Sequence, residues 1–164
     1  VIIFPPEYPY TSGTTRLLRD NFADLQRESA EMLGLTEKDF IVDIGSNDGT
    51  LISNFQKAGN RILGIEPTDV GDIANSRGIP TIKRYFGKEV AREVVAEHGP
   101  ARVVTAANCF AHIEDVHAIV DGIVEMIGEE GCSFPNRIIS SDCWTRCNTT
   151  RSITSTCAII RSPA

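Results

Sequence analysis

Cysteine is nearly absent from the first 131 residues of this chain, where Cys109 stands alone. The other four, Cys132, Cys143, Cys147 and Cys157, crowd the last 33. A disulfide framework needs pairs spread through the body, so none is expected. Cys143 and Cys147 have no second Cys or His pair at zinc-finger spacing, so no metal site is expected either. No apolar run reaches the roughly 18 residues of a membrane span. Val1-Ile2-Ile3-Phe4 is apolar but lacks a basic flank, and so makes a poor signal peptide. Positive charge is scarce as well. The 16 Lys+Arg face 22 Asp+Glu, for a net charge of -6. An acidic surface repels phosphate backbones, which argues against nucleic acid as the partner. With neither a span nor a signal peptide, a cytoplasmic domain is expected. The missing initial Met and the abrupt start suggest a piece of something longer.

What is present suits one compact domain: 164 residues, 41% hydrophobic and 23% charged. Its charge is unevenly spread. Residues 1–131 hold 21 acidic and 12 basic side chains, and residues 132–164 hold 1 and 4. Ser and Thr supply 11 of those last 33 residues, with no sustained period of 2 or 3.6. The body has a folding pattern that the tail lacks. Two regions follow: a ligand-binding domain over 1–131 and an atypical tail over 132–164.

Strands and helices alternate through the body. Thr14 or Thr15 can cap a helix running to about Leu33, ended by Gly34. Phe40–Ile44 is a short apolar run, as expected of a strand buried on both faces. Gly45–Gly49 is a turn and Thr50–Lys57 a helix. Further strands are predicted over Arg61–Glu66, Pro80–Ile82 and Arg102–Ala106. Helices are predicted over Val70–Arg77, Lys88–His98 and Val116–Ile127, each followed by glycine within a residue. This alternation predicts a parallel sheet with crossover helices on both faces, a Rossmann-like three-layer α/β sandwich with an incomplete sheet.

In such a sheet, ligands bind beyond the carboxyl ends of the strands. Three segments are selected. The first is Asp43-Ile44-Gly45-Ser46-Asn47-Asp48-Gly49, a tight strand-to-helix turn in which Asn47 stands where a second glycine is common. The second is Glu66, followed by Pro67, at the end of the second strand. A carboxylate there accepts the ribose hydroxyls of an adenosyl cofactor, although a solvated strand-end acid would look the same. The third is Ala106–His112, where Asn108 could bond a cofactor's amino-acid end and Phe110, or Phe86 upstream, could pack on adenine. His112 could act as a base or as a hydrogen-bonded structural group. The dinucleotide fingerprint G-x-G-x-x-G fails at two positions, since Gly45 is followed by Asn47 and Thr50. The second glycine lets the backbone approach a pyrophosphate, so its loss argues against NAD and favours the phosphate-free S-adenosylmethionine.

At Val42–Thr50 the sequence resembles the C-methyltransferases that act on nucleotide-linked deoxysugars, which are class I methyltransferases. The resemblance includes Tyr8–Thr14, Gly64–Pro67, Gly78–Thr81 and Asn108–Asp115, and it covers about residues 5–131. It implies S-adenosylmethionine as cofactor and a nucleotide-linked sugar as substrate. It also implies that Tyr8 and Tyr10 line the substrate side, with His112 near it. Similar proteins carry a zinc-binding domain before this region and a sugar-site domain after it, and neither is written here. Their catalytic base belongs to a Tyr-His-Glu-His-like stretch, and no such stretch occurs in this frame.

The tail has an explanation in the genetic code. Shifted by one nucleotide, Asp142-Cys143-Trp144-Thr145 must encode Leu, Leu, Asp. One permitted translation of Ser140–Arg161 reads LGLLDTVQYDTIYHEHLRYYS, which is strongly similar to the family's catalytic stretch. A frameshifted tail is therefore expected, with the transfer activity lost or weak in this chain. Such a tail should pack irregularly or pair against the fourth strand or a neighbouring chain. An uncovered sheet edge would also leave a homo-oligomer open. The rival expectation is a non-enzymatic interaction fragment with a vestigial cofactor cleft.

Overall fold

A computed structural model describes residues 10–107 and 116–127, together with the backbone of Thr156–Ile160. Five helices and five strands alternate through these segments. They are α1 (Arg16–Leu33), β1 (Phe40–Ile44), α2 (Ile52–Lys57), β2 (Arg61–Ile65), α3 (Val70–Ser76) and β3 (Thr81–Ile82). Then follow α4 (Lys88–His98), β4 (Val103–Ala107), α5 (Val116–Ile127) and β5 (Thr156–Ile160). The strand order is β3-β2-β1-β4-β5. The first four strands in that order are parallel, as the alternation predicted.

Helices cover both faces, which makes the expected three-layer Rossmann-like sandwich. One face buries Val42, Ile44, Leu63, Ile65, Val104 and Ala106 against Val90, Ala91 and Val94 of α4 and Ile123 and Met126 of α5. The other buries Ile41, Ile62 and Val103 against Phe22 of α1, Ile52 and Phe55 of α2 and Ala74 of α3. Alternate residues of each strand thus enter opposite cores, so the strands read as continuous apolar runs rather than as alternating patterns. Each large side chain buried in this way contributes about 1.5–3 kcal/mol.

Local chemistry moves some boundaries from those predicted. The α2 helix begins at Ile52 rather than Thr50 because the Thr50 carbonyl accepts from the Ser53 hydroxyl (2.9 Å) and Asn54 Nδ2 (3.1 Å), while the Asn54 amide donates to Leu51 O at 3.1 Å. Side chains thus take the acceptor that the next helical amide would use. Thr15 is the N-cap residue of α1, but its side chain makes no capping bond. On the outer strand β3, Asn75 stands in for a neighbouring strand. Its Nδ2 donates to Thr81 O and its Oδ1 accepts from Thr81 N, both at 3.0 Å. This pairing protects a short edge.

The tail contributes β5, which lies antiparallel to β4, with Val103 opposite Ile160 and Ala107 opposite Thr156. Pairing of part of the tail against the fourth strand was among the expected outcomes. It moves the open edge of the sheet from β4 to β5. The uncovered β4 edge given as a reason for pairing between chains is therefore covered within the chain. Among the described residues, no helix is long and apolar enough to cross a membrane.

Candidate functional site

The strand order places the topological switch between β1 and β4, whose crossovers leave on opposite faces of the sheet. The loop after β1 and the acid after β2 meet at this carboxyl edge. Gly45 and Gly49 have φ of 69° and 76°. Asn47, at φ 52°, is the only non-glycine with positive φ among the described residues. Its left-handed backbone turns its N–H onto Glu66 Oε2 at 2.9 Å. Glu66 Oε1 accepts from the Thr68 amide (3.0 Å) and hydroxyl (2.7 Å). The Glu66 side chain, buried at the end of β2, is thereby held under the β1 loop. Gly45 and Ser46 secure the same junction by donating to Ile65 O at 2.8 and 3.2 Å.

A polar row lies beneath the loop. Thr81, Gly64, Asp43 and Thr105 are register partners across four adjacent strands. Thr105 Oγ1 donates to Asp43 Oδ1 at 2.7 Å. Burial raises the Asp43 carboxyl from its ordinary 3.8 to about 7, with the Thr105 hydrogen bond opposing this and the Glu66 charge adding to it. Ser46 Oγ is buried without a hydrogen-bond partner, the only such side-chain atom among the described residues. It leans over Gly64, where a Cβ would stand 2.5 Å from it. The missing side chain at Gly64 therefore makes room for this hydroxyl.

The sequence-predicted residues divide into three groups. Asp43, Gly45, Ser46, Asn47 and Glu66 converge as expected, with Pro67 half-buried beside Glu66. Asp48 belongs to the same loop, but its oxygens are directed elsewhere. They accept from Thr50, from Gly13 N (3.1 Å) and from Arg77 Nη1 (3.2 Å), with the carboxylate 1% exposed. Phe86 is half-buried. It packs against the core on the α4–α5 side, and a Cβ on Gly122 of α5 would lie 2.9 Å from its ring. Tyr10 is 48% exposed, and its carbonyl accepts from Asn47 Nδ2 at 2.9 Å. Tyr8, Asn108, Phe110 and His112 lie outside the described residues.

Thr68, Thr105 and Arg77 were not singled out from the sequence. Thr105 had a readable signal, as the one hydroxyl in the apolar run Val103–Ala107. Thr68 had a weaker one, two residues after a strand-end acid. Arg77 had none, because its bond to Asp48 spans 29 residues. Among the described residues, no group of His, Cys, Asp and Glu could hold a metal ion.

Fold and site define a Rossmann-like domain with a glycine-bearing first turn and an acid closing its second strand. Comparison with known proteins gives a more particular likeness. No family model matches the chain. The chain is 34% identical over 128 residues to the C-methyltransferase NovU of Streptomyces niveus, covering 77% of this chain and 30% of that protein. It thus spans under a third of the curated relative it matches. Among solved structures it is similar to coclaurine N-methyltransferase, at 10% identity and a TM-score of 0.38 over 60% of this chain and 39% of that one. It is likewise similar to geranyl diphosphate C-methyltransferase of Streptomyces coelicolor, at 14% identity and a TM-score of 0.34 over 57% of this chain and 50% of that one.

Proposed function

We propose that this chain is an S-adenosylmethionine-binding domain of the C-methyltransferase kind, whose complete enzyme acts on a nucleotide-linked deoxysugar. The observation that carries the reading is Glu66, a carboxylate closing β2 and tied to the β1 loop through the Asn47 amide. The donor set fits an adenosyl group. A carboxylate offers about four acceptor positions, and here three are occupied. The remaining one takes a first ribose hydroxyl. A second becomes available when the Thr68 hydroxyl gives its proton to another acceptor.

Glu66 would hold the ribose, and the Gly45–Gly49 backbone would border the rest of the cofactor. The Glu66 carboxylate beneath the loop gives the site the sign that suits a sulfonium. When bound, the cofactor supplies an electrophilic methyl group. The residues of this chain bind and orient. The Tyr-His-Glu-His-like stretch of similar enzymes is absent from this frame and recoverable in the shifted one. Little or no sugar methylation by this chain follows, and its tail is read as out of phase.

Parallel calorimetric titrations with S-adenosylhomocysteine and with NAD test the reading. S-adenosylhomocysteine is expected to bind with a Kd in the micromolar range, roughly 8 kcal/mol, while NAD gives no saturable heat. NAD binding would overturn the reading of the Asn47 and Thr50 departures from the dinucleotide fingerprint. Binding of neither by a folded chain would leave the interaction-fragment reading.

A further inference from the structure

The segment before α1 is fastened to the candidate cofactor loop by two neighbouring side chains. Asn47 uses both ends of its amide. Its Oδ1 accepts from Ser12 N at 2.7 Å and its Nδ2 donates to Tyr10 O at 2.9 Å. Asp48 Oδ2 accepts from Gly13 N at 3.1 Å. These bonds cross 35 to 37 residues of sequence, so they are tertiary fastenings rather than local turns. The arm is braced from the other side by Arg19, whose guanidinium donates to Gly13 O and Thr14 O.

Gly13 is required by this contact. A Cβ there would stand 2.7 Å from both Asp48 Oδ2 and Thr50 Oγ1. Neither atom can retreat easily, because Thr50 Oγ1 is bonded to Asp48 Oδ1 and Asp48 is buried and paired with Arg77. The arm approaches the loop this closely only because position 13 has no side chain.

The same Asn47 reaches Glu66 through its backbone N–H. Its left-handed conformation aims that N–H at the carboxylate, and such a conformation is costly for a non-glycine residue unless its surroundings hold it. The arm supplies that hold through the two side-chain bonds. We propose that Asn47 is a positioning residue that latches the Tyr10–Thr14 arm to the cofactor loop, so that arm closure fixes the Glu66 carboxylate and prolongs the stay of an adenosyl ligand. The proposal rests on the adenosyl-binding reading. It assigns Asn47 a reason to replace the glycine common at its position: glycine would permit the turn without making the latch.

Two variants separate the latch from the loop. Asn47→Gly keeps the left-handed turn and removes the side-chain bonds. Gly13→Ala leaves Asn47 intact and drives the arm away by steric conflict. Amide exchange at Ser12 and Gly13 and the dissociation rate of S-adenosylhomocysteine are measured for the wild-type chain and both variants, with thermal melting as the check on folding. Loss of two or three hydrogen bonds is expected to speed arm exchange by about tenfold or more. Ligand dissociation is expected to quicken by roughly fivefold in both variants, with melting little changed. Unchanged arm exchange overturns the latch, as does a released arm with unchanged dissociation. A wild-type chain that binds no S-adenosylhomocysteine removes the cofactor reading and the residence effect with it, and arm exchange in the variants still reports whether the fastening exists.

Discussion

Replacing Glu66 with Ala is expected to weaken S-adenosylhomocysteine binding by about a hundredfold or more, from loss of about 3 kcal/mol of charge-assisted hydrogen bonding to the ribose. The carboxylate closes β2 and is oriented from two sides, by the Asn47 amide and by Thr68. That orientation lowers the entropic cost of presenting an acceptor to a ligand. Glu66 also satisfies these donors in the free protein, so its removal is expected to lower stability by about 1–3 kcal/mol. Glu66→Gln separates the two effects. It retains one acceptor oxygen for the Thr68 donors but sets an amide NH2 against the Asn47 N–H, so it should restore only part of the stability and still bind S-adenosylhomocysteine about tenfold more weakly than the wild type. Calorimetry alongside thermal melting measures both quantities. Unchanged ligand affinity in a folded Glu66→Ala chain would remove Glu66 from the site.

The second large effect concerns Asp43. Its folded pKa of about 7 lies above the ordinary 3.8, so the folded state holds a proton there that the unfolded state releases. The stabilisation linked to this proton is fully present below pH 3.8 and declines as pH rises toward 7. Above about 7 it is gone, and the fold carries a buried, ionised carboxylate. At about 1.4 kcal/mol per pKa unit, the contribution between these limits is about 4 kcal/mol at most. Asp43→Asn keeps the shape and can still accept the Thr105 hydroxyl. The variant is therefore expected to melt higher than the wild type at pH 8.5, with the gap closing as pH falls toward 5. Paired melting curves across this range check the sign. A variant less stable than the wild type at pH 8.5 would show that ionised Asp43 is compensated in the folded state.

Much of this fold is legible in the sequence because its elements are marked at both ends. β1, α4 and α5 run over the predicted residues, since a continuous apolar run or flanking glycines define them. The start of α2 is displaced by Ser53 and Asn54, whose side chains occupy the Thr50 carbonyl, and Asp48, which from sequence alone reads equally well as a ligand contact, is taken up by Thr50, Gly13 and Arg77. β5 has no alternation to reveal it and is defined by its pairing with β4. The order of the strands enters only through the rule for parallel sheets, and it is this order that brings Glu66 to the β1 loop.

The candidate site divides in the same way. Glu66 and the turn at Gly45–Gly49 were legible because they combine an unusual residue type with a fixed place at a strand end. Phe86 was legible as an aromatic residue near the carboxyl edge, whereas its packing against Gly122 of α5 depends on a contact 36 residues along the chain. The fastening of the arm was hidden for the same reason. It depends on pairs 35 to 37 residues apart, which no local pattern encodes.

Binding of an adenosyl ligand at the carboxyl edge of β1 and β2 is tested by following backbone amide resonances while S-adenosylhomocysteine is added to the wild-type chain. Saturable shifts are expected, concentrated at Gly45, Ser46, Asn47, Glu66 and Thr68, with the amides of α1 beyond its first turn unmoved. An absence of shifts in a folded chain, or shifts confined to surfaces away from this edge, would contradict it.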